Sequence, residues 1–279
     1  WVLSLEQGSG DEAMLQGAIE QSLLSLKVIR RLIIAGFEHP SRDKEVQAFW
    51  VLTHSHFSKF LSFVRNSVNM PEQIHRLVGR HLLQLSKLHV EMAKSHPASF
   101  ALLPNSIPLV QSYWSLVVEL GENYAKLDTS GELVWRSLLE RTGLKALLLI
   151  RACAKMAFNP AQTFKYQTAQ DKEERKQAVE LTKSQLFTQD FVVNVMEVLV
   201  TQFFKLREND FQEWEADPEE WENREDTSAD AWEFSIRSCS EKLFLDVVIH
   251  FKELLIPRLL SVFYTFASEC CDYGTRGPC

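Results

Sequence analysis

Apolar residues recur at spacings of three and four almost throughout the chain, the pattern of helices that bury one face. From Asp11 onward, Met14, Leu15, Ala18, Ile19, Leu23, Leu26, Ile29 and Ile33 form one stripe. Gly36 and Pro40 stop it, as helix-terminating residues do. A second helix is predicted from Asp43, with Val46, Phe49, Trp50, Phe57, Phe60, Leu61 and Val64 on its buried face. A third opens at Pro71, whose missing N–H costs nothing in a first turn, and runs toward Pro97 with Ile74, Leu77, Leu82, Leu85 and Met92. Further helices are predicted over 107–125 and 131–158. The polar stretch 169–183 reads as a solvated helix. In 188–206 the valines suggest a strand. However, Val192, Val195, Met196, Leu199 and Phe203 keep helical spacing, and the run is too long for a usual strand. Two last helices are predicted over 229–251 and 252–267.

The pattern is therefore all-α. A compact bundle and a stacked solenoid both satisfy it. Pair follows pair without a linker, which favours a right-handed α-solenoid of four or five HEAT-like antiparallel helix pairs over residues 1–268. Each pair spans about 55–65 residues, longer than standard HEAT repeats. Residues 269–279, with Cys270, Cys271 and Cys279, read as an atypical tail, of altered reading frame, of artificial origin or belonging to a natural short form.

Composition sharpens this picture. Ten Gly and nine Pro in 279 residues are too few for a turn-rich β fold. A net charge of −7 argues against direct nucleic-acid binding and against attraction to anionic membranes. No apolar run reaches bilayer-spanning length; the nearest, 254–267, contains Pro257 and Arg258. Five scattered cysteines fit a reducing compartment. The chain opens on Trp1 and reads as an internal piece of something longer.

The acidity has one source. Residues 208–230 hold eleven carboxylates against Arg224, a net −10, so the remaining residues carry +3. Phe211, Trp214 and Trp221 are embedded in this segment. Most charge runs are solvated loops, but two tryptophans are not needed for solubility. Asp217-Pro218-Glu219-Glu220 also has the form of a helix start: an N-cap, a proline at N1, and acids where the dipole favours them. The expectation is an ordered acidic insertion. A short helix should begin near Asp217, and at least one indole should be buried against neighbouring helices. The insertion would face a basic partner, or fold over a basic surface of its own chain such as Lys172-Arg175-Lys176.

Phe203-Phe204-Lys205-Leu206, then Asp210, Trp214, Asp217-Pro218-Glu219-Glu220-Trp221, then Arg237, Cys239 and Glu241-Lys242-Leu243 resemble the importin-β (karyopherin) family. The likeness is greatest to the branch of importin eleven and its fungal counterpart, and it covers roughly residues 186–260. The resemblance implies a HEAT-repeat solenoid of a nuclear transport receptor. Such a receptor binds cargo, is regulated by the small GTPase Ran in its GTP form, and shuttles between nucleus and cytoplasm through nuclear pores. The implied partners are Ran, basic cargo proteins and FG-repeat nucleoporins. The partner-binding residues carried over are Asp210, Trp214, Asp217, Pro218, Glu219, Glu220 and Trp221.

No chemistry competes with this reading. His54 and His56 are two apart and point away from each other on a helix. His75, His81 and His89 lack ligand spacing, and Cys153 and Cys239 fall on apolar faces. Phosphate-loop, dinucleotide, zinc-protease and nucleophile-elbow motifs are all missing, so neither an enzyme nor a cofactor is expected. The alternative of another class is a static HEAT-repeat scaffold that holds a larger complex together.

Overall fold

The computed structural model describes residues 11–66, 71–124, 133–159, 168–206, 208–226 and 231–275, together with Val2. Every element among them is helical. Helix α1 (Glu12–Gly36) starts at Asp11, whose carboxylate accepts from the Ala13 N–H. A 3-10 turn, Pro40–Arg42, leads to α2 (Lys44–Arg65), capped by Asp43 accepting from the Val46 N–H at 2.9 Å. Then follow α3 (Glu72–Ser95), α4 (Pro97–Leu102), α5 (Ser106–Tyr124) and α6 (Leu133–Phe158). Helix α7 (Ala169–Gln185) opens on a reciprocal capping box between Thr168 and Asp171. Helix α8 (Gln189–Val198) continues into a π turn, Leu199–Phe203. After α9 (Glu208–Ala216) and α10 (Pro218–Asp226) come a 3-10 turn (Ala231–Glu233), α11 (Ile236–His250) and α12 (Lys252–Thr275). No helix among the described residues is long and apolar enough to cross a membrane.

Two rows emerge from the packing. Helices α1, α3, α6 and α11 lie side by side in that order. Behind them stand α2, α5 and α8, with α12 against both α8 and α11. The complete pairs are α2–α3, α5–α6 and α8–α11, flanked by α1 and α12. Along the first row α3 and α6 run in the same direction: residue 79 meets residue 138, and further on Ala93 and Ala152 share a cavity. The helix between them in sequence, α5, therefore runs the other way. Helices pack mainly on neighbouring pairs, as a solenoid requires and as the sequence pattern anticipated, while a few polar contacts reach further, from Arg42 to α7 and from Lys94 to Glu233.

Close approach within the α5–α6 pair depends on a glycine. A Cβ on Gly143 would lie 2.5 Å from Leu120 Cδ2, inside van der Waals contact. Helix α3 is buried on all sides but one, and Trp50, Phe57 and Phe60 of α2 are fully buried against it, as their spacing predicted. A polar network threads this core. Trp50 Nε1 donates to Ser106 Oγ at 3.0 Å. Thr53 Oγ1 donates to the Trp50 carbonyl at 2.7 Å, so it can only accept from His89 Nε2, 3.0 Å away. His89 Nδ1 must then accept from the Tyr113 hydroxyl at 2.9 Å. His89 is thus a neutral core residue with both ring nitrogens satisfied.

Several boundaries differ from the sequence reading. Pro71 is the N-cap of α3, not its first turn. The short α4 was not anticipated. It packs on α7, which is tied to the 3-10 turn by Arg42 with Asp171 (2.7 Å) and Glu174 (2.8 Å). Segment 229–251 becomes helical for good only at Ile236, because Ser235 caps there by accepting from the Ser238 N–H. Helix α12 runs on to Thr275, into the stretch read as an atypical tail.

Both flanks expose apolar stripes. On α1 these are Met14, Leu24, Val28 and Leu32; on α12, Ile256, Leu260, Phe263 and Tyr264. Exposed contiguous apolar surface drives association. The chain is expected to self-associate with rising concentration in sedimentation experiments. The double substitution Val28→Ser and Phe263→Ser should reduce that association; a strictly monomeric wild-type chain at high concentration would contradict the expectation.

Candidate functional site, an acidic helical hairpin

The segment 208–226 is ordered as two short helices, α9 and α10, that pack mainly on each other. The turn between them is built as the sequence predicts. Asp217 Oδ1 accepts from the Glu220 N–H at 2.9 Å, and the Asp217 carbonyl accepts from the Trp221 N–H at 3.0 Å. Pro218 occupies the first helical position, and Glu219 and Glu220 fill the first turn. Glu213, Glu215, Glu219, Glu220 and Glu222 are exposed.

The indoles do not hold the hairpin as expected. Trp214 is 50% exposed, Trp221 is the better covered of the two, and neither joins the apolar core. Two other clamps do the work. Asp210 of α9 pairs with Arg237 of α11, both largely shielded from solvent. On the far side, Trp232 packs on the core and lies under the Arg151 guanidinium, 3.9 Å from ring centroid to Cζ. Next to it Glu233 pairs with Lys94 at 2.8 Å. Arg151 is further fixed by Asp246 at 2.6 Å. A short chain segment can bury an indole only where a groove is vacant, and Trp232 takes the place beside α6.

Of the residues singled out from sequence, Asp217, Pro218, Glu219, Glu220 and Trp221 come together at the start of α10. Asp210 is a structural anchor, and Trp214 sits exposed on α9 beside the exposed Phe211. Sequence reading missed Arg237 as the partner of Asp210, and it missed Trp232. Among the described residues α7 packs mainly on α4 and α6 rather than on the hairpin helices.

Other constellations are accounted for by packing. His81 Nε2 meets Ser22 Oγ at 3.2 Å, and His96 Nε2 meets the Ile34 carbonyl at 2.8 Å. Burial pushes the Cys153 and Cys239 thiols up to about 12, where little reactive thiolate forms. His39, Asp171 and Glu174 converge in a way that could hold a metal ion, but the Arg42 guanidinium already neutralises both carboxylates.

No protein-family model matches the chain. Individual relatives do. Human importin-11 is 28% identical over 264 residues, 93% of this chain and 25% of its own length. The importin beta-like protein KAP120 of Saccharomyces cerevisiae is 28% identical over 90% of this chain and 23% of its own length. Among solved structures, that of Lph2, described as a bidirectional nuclear transport receptor in S. cerevisiae, superposes with a TM-score of 0.73. The match has 25% identity and covers 94% of this chain and 25% of Lph2. The chain spans about a quarter of the length of the curated relatives it matches. These relatives are transport receptors, not enzymes. The chain is therefore homologous over some nine-tenths of its length to importin-11 and KAP120, and its all-α solenoid is the one used by importin-β-like nuclear transport receptors.

Proposed function

We infer that this chain is part of a nuclear transport receptor, which carries protein cargo between cytoplasm and nucleus and releases or loads it in response to Ran in its GTP form. The observation that carries this reading is the homology to importin-11 and KAP120, continuous over some nine-tenths of the chain. FG-repeat nucleoporins are the partners such a receptor needs to pass the pore. The receptor works by reversible binding, with Ran and cargo coupled through their binding free energies.

Within this reading the acidic hairpin is a contact for a basic partner. Its exposed carboxylates form a preset array, since Asp217 caps α10 and Asp210 ties α9 to α11. The half-exposed Trp214 offers a ring face on which a lysine or arginine can stack. Residues Asp210 and Asp217 shape the array, whereas Glu219, Glu220 and Trp214 meet the partner.

Two measurements test this. The protein carrying this chain should capture proteins from a cell extract, and GTP-locked Ran should change what is held. A captured set that ignores Ran would favour the static scaffold. Separately, replacing Glu215, Glu219 and Glu220 with Ser should weaken binding of a lysine- and arginine-rich peptide about tenfold and flatten its salt dependence. Unchanged affinity and salt slope would remove the hairpin from the binding surface.

A further inference from the structure

A trough between α3 and α6 carries the charge opposite to that of the hairpin. The one strip of α3 left open to solvent bears Arg76, Arg80, Lys87 and Lys94, with Glu91 drawn away to Arg30. The open side of α6 facing it bears Arg141, Lys145, Arg151 and Lys155. The seam opens into a cavity at each end. One, of about 290 Å³, lies beside Arg76, Arg80 and Arg141. The other, of about 560 Å³, lies beside Lys94, Arg151, Lys155 and Trp232.

Few of these cations are neutralised. Arg76 pairs with Glu72, Lys94 with Glu233 and Arg151 with Asp246. Among the described residues, Arg80, Lys87, Arg141, Lys145 and Lys155 make no ion pair. Burial first, and then Lys87 and Lys94, hold Lys145 below the ordinary lysine range. Burial and then Arg151 do the same to Lys155. Like charges are thus held side by side on a low-dielectric wall, which focuses a positive field along the seam.

We propose that the α3–α6 trough binds an extended acidic peptide segment of a protein partner. From Arg76 to Lys94 the cations span about 27 Å at the helical rise. An extended chain covers that length with about eight residues at roughly 3.3 Å each. Its carboxylates meet the unpaired cations in turn. An apolar or aromatic residue enters the larger cavity, whose walls include Leu148, Ala152 and Trp232. Glu233 and Asp246 on this rim repel an unbroken run of phosphates, which favours a peptide over a nucleic-acid strand. The surface adjoins the hairpin at Trp232 and Glu233 but lies on other helices, and it does not depend on the receptor reading.

The test is a fluorescence-anisotropy titration of the intact chain with a labelled peptide rich in Glu and Asp around one central Trp. Binding that weakens with salt is expected, and the triple variant Arg80→Ser, Arg141→Ser, Lys155→Ser should lose about tenfold or more in affinity. All three residues reach solvent and, among the described residues, make no ion pair, so thermal stability should change little in that variant. The control Lys172→Ser, Lys176→Ser on α7 should bind like the wild type. No binding, equal loss in both variants, or a single-stranded oligonucleotide of the same charge that binds more tightly than the peptide would each overturn the proposal.

Discussion

Replacing Asp210 with Ser is expected to lower the unfolding free energy by about 2–3 kcal/mol, because it takes a close counter-charge away from a shielded guanidinium. Arg237 is 8% exposed and pairs with Asp210 from the first turn of α9. Desolvating a cation is costly unless the charge is compensated. Loss should appear in urea unfolding as a lower midpoint. Increased proteolysis within 208–226 should accompany it, since the hairpin is released from α11. The triple substitution of Glu215, Glu219 and Glu220 provides the contrast. It removes more charge, but from exposed positions, and should shift stability by no more than about 0.5 kcal/mol. Equal stability of Asp210→Ser and the wild type would mean that the ion pair does not hold the hairpin.

Acid should destabilise the chain through its core histidines. Burial pulls the His89 pKa down from 6.5 to about 3, and that of His81, also chiefly by burial, to about 4. Both are neutral in the folded state at conditions where the unfolded chain takes up protons. As pH falls from 6.5 toward 3, the unfolded state therefore binds more protons and stability falls; above 6.5 neither residue contributes a slope. For His89 alone the loss reaches about 3 kcal/mol near pH 4, at about 1.4 kcal/mol per unit. The hydrogen-bond network gives the structural reason. A second ring proton would point Nδ1–H at the Tyr113 hydroxyl, which already donates there. His89→Gln should be less stable at neutral pH, since Tyr113 or Thr53 loses a partner. Its stability should also fall less steeply between pH 6.5 and 4. An acid slope identical to that of the wild type would show that His89 is not the buried titrating group.

Much of the chain is legible from local signals. The 3/4 spacing of apolar residues places α1, α2, α3, α5 and α6, because a helix must bury one face and each stripe is set by residues within a few turns. Caps are equally local. Asp11, Asp43, Thr168, Thr188, Asp217 and Ser235 each accept from a backbone N–H two or three residues ahead. The acidic insertion could be read as ordered from its own Asp-Pro-Glu-Glu start, and the family resemblance lay in the same residues. Short or interrupted elements were harder. Helix α4 has six residues, and the π turn breaks an apolar run whose spacing continues through it.

What joins distant residues was decided only by the tertiary structure. Two tryptophans in an acidic run, one of them expected to be buried, gave no sign that Trp232 would be the one to pack against the core. Asp210 and Arg237 become partners because the fold brings the first turn of α9 against the start of α11, which no local periodicity encodes. The basic trough is hidden for the same reason. Arg76, Arg80, Lys87 and Lys94 never form a run in sequence, and each looks like an ordinary solvated position. They become one field only when α3 and α6 run side by side in the same direction and the rest of α3 is buried. Helix formation depends on neighbours along the chain, so sequence determines it. Charge complementarity depends on which faces remain open after packing, and that is a property of the assembled solenoid.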